Sequence, residues 1–172
     1  RQPLLGGPNP GNFTAGRFLS FTDRLLMEGR MVTGESMAFW RRLSDFDEDD
    51  FHRHLRLYNV THIAARSDDA NRTLSAFKKT LKPFDSVGKY TFYSVMGSSD
   101  WFIQGAGTVG MDLDRLRVQT SHPGRLVLKF HWIRTLRSKP DLPLFPVYLP
   151  GFPLPFIGID NSSGYSVIDV YN

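Results

Sequence analysis

The stretch Asp45–His54, DFDEDDFHRH, gathers five carboxylates and two histidines into ten residues. Residues of these types at short spacing can ligate a divalent cation through imidazole nitrogens and carboxylate oxygens. A metal site needs ligands that converge on one point. On a helix, Asp49 and His52 share a face at i, i+3, while Asp50 and His54 fall on another. The same ten residues also read as a helix start. Asp45 stands at the N-cap with Glu48 three residues later, the spacing of a capping box. The acids at 47–50 then occupy the first turn, where the macrodipole favours negative charge, and Arg53, His54 and Arg56 lie further on. Phe51, Leu55 and Tyr58 complete the pattern as a buried stripe at i, i+4, i+7. Helix electrostatics accounts for every charge in the run, so the expectation is a capped helix and no metal.

Other chemistry is sparse. The chain has no cysteine, which removes thiol nucleophiles, disulfides and zinc-thiolate sites. GAGTVG at 105–110 has the glycine spacing of a dinucleotide loop. A strand follows it, so no helix N-terminus is there to hold a pyrophosphate. No nucleophile elbow, P-loop or HExxH motif occurs. No catalytic residue and no cofactor is assigned. The best ligand candidates are aromatics, because sugars present an apolar C–H face to exposed rings. Trp101 follows GSSD near a strand edge. Trp132 lies on the apolar parity of RLVLKFHWI, with Leu126, Leu128 and Phe130, so a core position competes with a binding role. Lys129 and His131 take the opposite, outward parity. The candidate ligand-binding set is therefore Trp101, Lys129, His131 and Trp132.

The elements that must carry these residues divide into two halves. The opening RQPLLGGPNPGNFTAG is a loop by composition. Phe18, Phe21, Leu25 and Leu26 fit a helical stripe, and GESMAFWRRL fits a second short helix with Met37, Trp40 and Leu43. After the acidic helix, a strand runs through His62. Ser67 then caps another helix with Ala70, Leu74 and Phe77 inward. Strands at 81–87 and 90–95 meet at Gly88. The second half is nearly all β, with a phase slip at Asp114–Arg115, a turn at 122–124 and a closing hairpin. The expected fold class is α+β: a helix/strand unit over 1–96, then an antiparallel β-sandwich over 97–172 of jelly-roll or carbohydrate-binding-module type, packed with the first as one compact unit.

With 172 residues, 41% hydrophobic and 22% charged, the composition is globular. The net charge is +4, but the arginines are scattered, without the dense basic footprint of a nucleic-acid binder. The longest apolar run, near Leu142 to Ile159, is broken by five prolines and cannot span a membrane as a helix. The chain opens at Arg1 without a Met, as an excised or processed piece would.

Several stretches together carry a resemblance. LRLYNVTHIAARS, then GKYTFYSV with WFIQGAGTV, then GRLVLKFHWIRTLRS with PLPFIGIDN resemble extracytoplasmic regions of bacterial polytopic membrane proteins related to the C superfamily of glycosyltransferases. The initial LLGGPNP is similar to an exit from a membrane helix. The resemblance implies a non-catalytic domain on the extracytoplasmic face, periplasmic or extracellular. It would pack on the transmembrane part of the same polypeptide and shape access for a lipid-linked sugar or acceptor. The family's catalytic acid lies in an earlier loop, so none is carried over to this chain; the reaction of the parent protein stays open. Two alternatives stand beside this: a stand-alone carbohydrate- or protein-binding sandwich module, and an enzyme whose Asp and His residues assemble from afar.

Overall fold

A computed structural model describes residues 4–5, 18–21, 24–27, 30–33, 37–39, 41–97, 100–112, 115–152 and 154–172. The chain divides into two compact units, Arg1–Ser99 and Asp100–Asn172.

The first unit holds β1 (Leu4–Leu5), β2 (Phe18–Phe21), β3 (Arg24–Met27), β4 (Arg30–Thr33), β5 (Met37–Ala38) and β6 (Arg41–Arg42). A 3-10 turn (Leu43–Asp45), α1 (Glu48–Leu57), β7 (His62–Ala65), α2 (Asp68–Ala76), β8 (Leu81–Val87) and β9 (Tyr90–Val95) follow. The two early helices expected over 18–27 and 34–43 are corrected here. Phe18–Phe21 pairs in parallel with β7, Arg24–Met27 forms a hairpin with Arg30–Thr33, and Met37–Ala38 pairs with Arg41–Arg42. Four-residue apolar runs fit either periodicity, and here sheet pairing decides. Trp40, expected in the second helix, lies outside the described residues. The sheet order is β1-β2-β7-β9-β8, with parallel pairs on one side of β7 and antiparallel pairs on the other. β8 is the border strand among the described residues; beyond Leu81 it is exposed, and its ladder is interrupted between Pro83 and Asp85.

The core of this unit is aromatic. Phe51, Leu55 and Tyr58 from α1 and its C-cap are buried, as are Ala70, Leu74 and Phe77 from α2 and its C-cap. Phe51 meets Phe77 at 5.2 Å and Phe46 at 5.4 Å between ring centroids. Phe39 stacks on Tyr58 at 4.9 Å. Asn59 ends α1 with a φ of 57°, while Val60 N–H donates back to Leu55 O; Asn tolerates this left-handed position better than most residues.

The second unit is antiparallel β. Its strands are β10 (Phe102–Gln104), β11 (Thr108–Met111), β12 (Arg115–Gln119), β13 (Gly124–His131), β14 (Arg137–Lys139), β15 (Leu144–Val147), β16 (Phe156–Asn161) and β17 (Val167–Tyr171). They form two four-stranded sheets, β10-β13-β16-β15 and β11-β12-β17-β14. Alternation sets the buried faces: Leu126, Leu128, Ile157 and Ile159 in one sheet, and Leu116, Val118, Ile168 and Val170 in the other, each at most 1% exposed. This arrangement is sandwich-like. Asp114 of the expected phase slip lies outside the described residues; on either side of it β11 and β12 pair antiparallel, with Val109 opposite Val118 and Met111 opposite Leu116. Residues 122–124 carry the chain from one sheet to the other. On the opposite face of the first sheet, the Phe145 ring lies against Gly158, where a Cβ would collide with it, and Arg125 sits 4.9 Å over the same ring.

Candidate functional site

The acidic run resolves into a set of protein contacts. Asp47, two residues past the expected cap, is the N-cap of α1, and its side chain accepts from Asp50 N–H at 2.7 Å. Asp45 instead belongs to the preceding 3-10 turn. The capping-box spacing from Asp45 to Glu48 is thus corrected, because that turn uses the first of the acidic residues. Glu48 Oε1 accepts from the Lys79 and Thr80 amides at 2.6 and 2.9 Å, tying the helix start to the entry of β8. Asp50 accepts from Arg41 at 2.5 Å and Arg53 at 2.6 Å, with His54 Nδ1 3.4 Å away. Burial opposes ionisation of Asp50, but the Arg53 and Arg41 hydrogen bonds outweigh it and hold the carboxyl below the ordinary carboxylate value. His52 bonds the Met96 carbonyl oxygen at 3.1 Å. His54 is 3% exposed, packed against Phe39 and Phe46, and donates from Nδ1 to Asp50 O at 2.8 Å. Burial pushes its pKa down, more than the Asp50 backbone bond and charge raise it. Among the described residues no three His, Asp or Glu side chains are arranged to hold a metal ion. What the run can do is fasten α1 to its surroundings.

The four candidate ligand residues separate in space. Lys129 is corrected: it does not point into solvent but is 6% exposed, and its Nζ donates to Asp100 Oδ1 at 2.7 Å. The pairing of β13 with β16 slips by two residues between Leu128 and His131, so simple alternation no longer sets the faces there. Trp101 is half-buried, with its ring stacked on the buried Phe130 at 5.1 Å, and its carbonyl accepts from Lys129 N–H. His131 is half-buried against Phe156 at 5.3 Å. Burial lowers its pKa, and a hydrogen bond to the Pro155 backbone opposes that shift.

Trp132 lines an open cleft. It is half-buried, and its backbone N–H donates to Pro155 O at 2.8 Å, which fixes the chain just past β13. The chain then turns through Leu136, whose N–H donates to Ile133 O, and enters β14. There Arg137 pairs with Tyr171 across to β17. Ser138 Oγ both accepts from Leu142 N–H at 2.8 Å and donates to Leu142 O at 3.1 Å, which folds Asp141 back beside the strand. The result is an open cleft of about 560 Å³ lined by Trp132, Arg134, Arg137, Asp141 and Tyr171 over a floor of leucines and Ser138. Arg134, Arg137 and Asp141 are exposed. Of these polar residues none was legible as a site residue, because sequence pattern cannot show that residue 171 pairs with residue 137. An aromatic ring beside guanidinium donors and a carboxylate suits a polar ligand with one apolar face.

No protein-family model, curated protein or solved structure matches the chain.

Proposed function

We propose that this chain is a non-catalytic extracytoplasmic domain of a glycosyltransferase-like membrane protein, and that its sandwich unit holds a glycan or lipid-linked sugar in the Trp132 cleft. The observation that carries the reading is the cleft itself. One half-buried indole, two guanidinium groups, a carboxylate and a tyrosine line it, from the loop between β13 and β14 (Trp132, Arg134), β14 (Arg137), the loop after it (Asp141) and β17 (Tyr171). Rings supply stacking for a pyranose C–H face, and charged groups supply hydrogen bonds to hydroxyls. The resemblance of LRLYNVTHIAARS and GRLVLKFHWIRTLRS to extracytoplasmic regions of polytopic proteins supports the placement outside the cytoplasm.

The test is saturation-transfer NMR of the full chain against a panel of mono- and oligosaccharides, repeated with Trp132→Ala and Trp101→Ala. Binding that Trp132→Ala abolishes and Trp101→Ala leaves is the expected result. Binding lost only in Trp101→Ala would move the site to the Phe130 stack. Turnover of a nucleotide sugar or lipid-linked sugar by the purified chain would overturn the non-catalytic assignment.

A further inference from the structure

The charges of the second unit say more about the ligand than its aromatics do. Arg115 lies 3.6 Å from Asp112, and Arg117 lies 2.8 Å from Asp169. Lys139 is paired opposite Asp169 in the β14–β17 ladder and acts on its carboxylate. Lys129 meets Asp100, and Arg125 covers the Phe145 ring. Against that pattern, no hydrogen bond, ion pair or ring contact engages Arg134 or Arg137 among the described residues, and both line the Trp132 cleft. Asp141 is the single acid beside them, so the cleft keeps an excess positive charge. A guanidinium offers a planar fork matched to phosphate or carboxylate, and two of them beside a ring suit an anionic sugar better than a neutral one.

We infer that the cleft selects a sugar carrying a phosphate or carboxylate, with Arg134 and Arg137 on the anion and Trp132 against the ring. The inference rests on the glycan reading above and narrows it to one ligand class.

The experiment titrates the full chain with four probes, following the Trp132 indole N–H by NMR: methyl glucoside, glucuronate, glucose 1-phosphate and inorganic phosphate. The expected result is that glucuronate or glucose 1-phosphate binds about tenfold or more tighter than methyl glucoside, and weakens as salt rises. Comparing those two arms separates a carboxylate from a phosphate ligand. The double variant Arg134→Gln/Arg137→Gln should bring both down to the level of methyl glucoside. Both positions are exposed, and a retained amide spectrum shows that the variant is folded. If methyl glucoside binds as tightly as the charged sugars, the anion preference is overturned while the glycan reading survives. If inorganic phosphate matches glucose 1-phosphate, the sugar ring contributes nothing and the proposal fails. If no probe shifts Trp132, both readings fall together.

Discussion

Lys129 Nζ lies 2.7 Å from Asp100 Oδ1, with the lysine side chain 7% exposed and the aspartate side chain 64% exposed. The pair is lopsided: one charge is buried and the other stays in water. Removing the exposed partner strands the buried ammonium, whereas removing the ammonium leaves a carboxylate that water can solvate. Asp100→Ala should therefore cost about 1–3 kcal/mol. Lys129→Met, which keeps the volume and discards the charge, should cost less. Denaturant unfolding of both variants checks the order; equal losses would mean the pair is held by packing alone.

Helix α1 offers a second comparison. Asp47 accepts the Asp50 amide, and Asp45 lies outside the helix. Asp47→Ala should cost about 1 kcal/mol through the lost cap. Asp45→Ala should stay within about 0.5 kcal/mol of the parent. The reverse order in thermal unfolding would restore the cap to Asp45.

Gly158 and Phe145 form a matched pair on the opposite face of the first sandwich sheet. A methyl group at 158 must displace the ring and its contact with Arg125. Gly158→Ala should cost about 1–3 kcal/mol, the usual scale of overpacking. Truncating the ring as well, in Gly158→Ala/Phe145→Ala, should recover part of that loss. A double-mutant cycle measures it, and strict additivity would show that the ring is not the obstacle.

His54 makes the first unit sensitive to mild acid. Its pKa in the folded state is lowered from 6.5 by burial. Between the two values the unfolded chain binds the proton and the folded chain does not, so stability rises with pH there. The contribution is fully present above about pH 7 and is lost as pH falls through 6.5 toward the depressed value. Amide exchange in α1 at pH 7.5 and 5.5 should show this loss in the parent and a smaller one in His54→Gln. A loss of the same size in His54→Gln would assign the effect to another group.

Much of the fold was legible because local rules and tertiary packing agree. The Phe51, Leu55, Tyr58 stripe and the Ser67 cap, which accepts from Ala70 N–H at 3.2 Å, follow from spacing and residue type alone. So do strands Leu81–Val87 and Tyr90–Val95 on either side of Gly88. The failures are equally physical. Phe18, Phe21, Leu25 and Leu26 match a helical period, but parallel pairing with β7 and a local hairpin decide the backbone there. Alternation puts Lys129 outward because it assumes an even ladder, whereas β13 carries a two-residue slip. At the cleft, Trp132 was readable by type, whereas Arg134, Arg137 and Asp141 were not. Their convergence depends on the pairing of Arg137 with Tyr171 and on a serine hydroxyl that folds one loop.

The border strand β8 has a consequence for life at high concentration. Among the described residues no strand pairs with its outer side, and an unpaired line of amides and carbonyls templates a strand from another molecule, the first step toward cross-β stacking. Pro83 removes one donor from that line, the break between Pro83 and Asp85 bends it, and Lys82 and Asp85 set charges along it. Exposed Phe84 and Val87 make the strand apolar enough to be hazardous without these features. The same few residues that interrupt the ladder thus keep neighbouring copies from zipping together edge to edge.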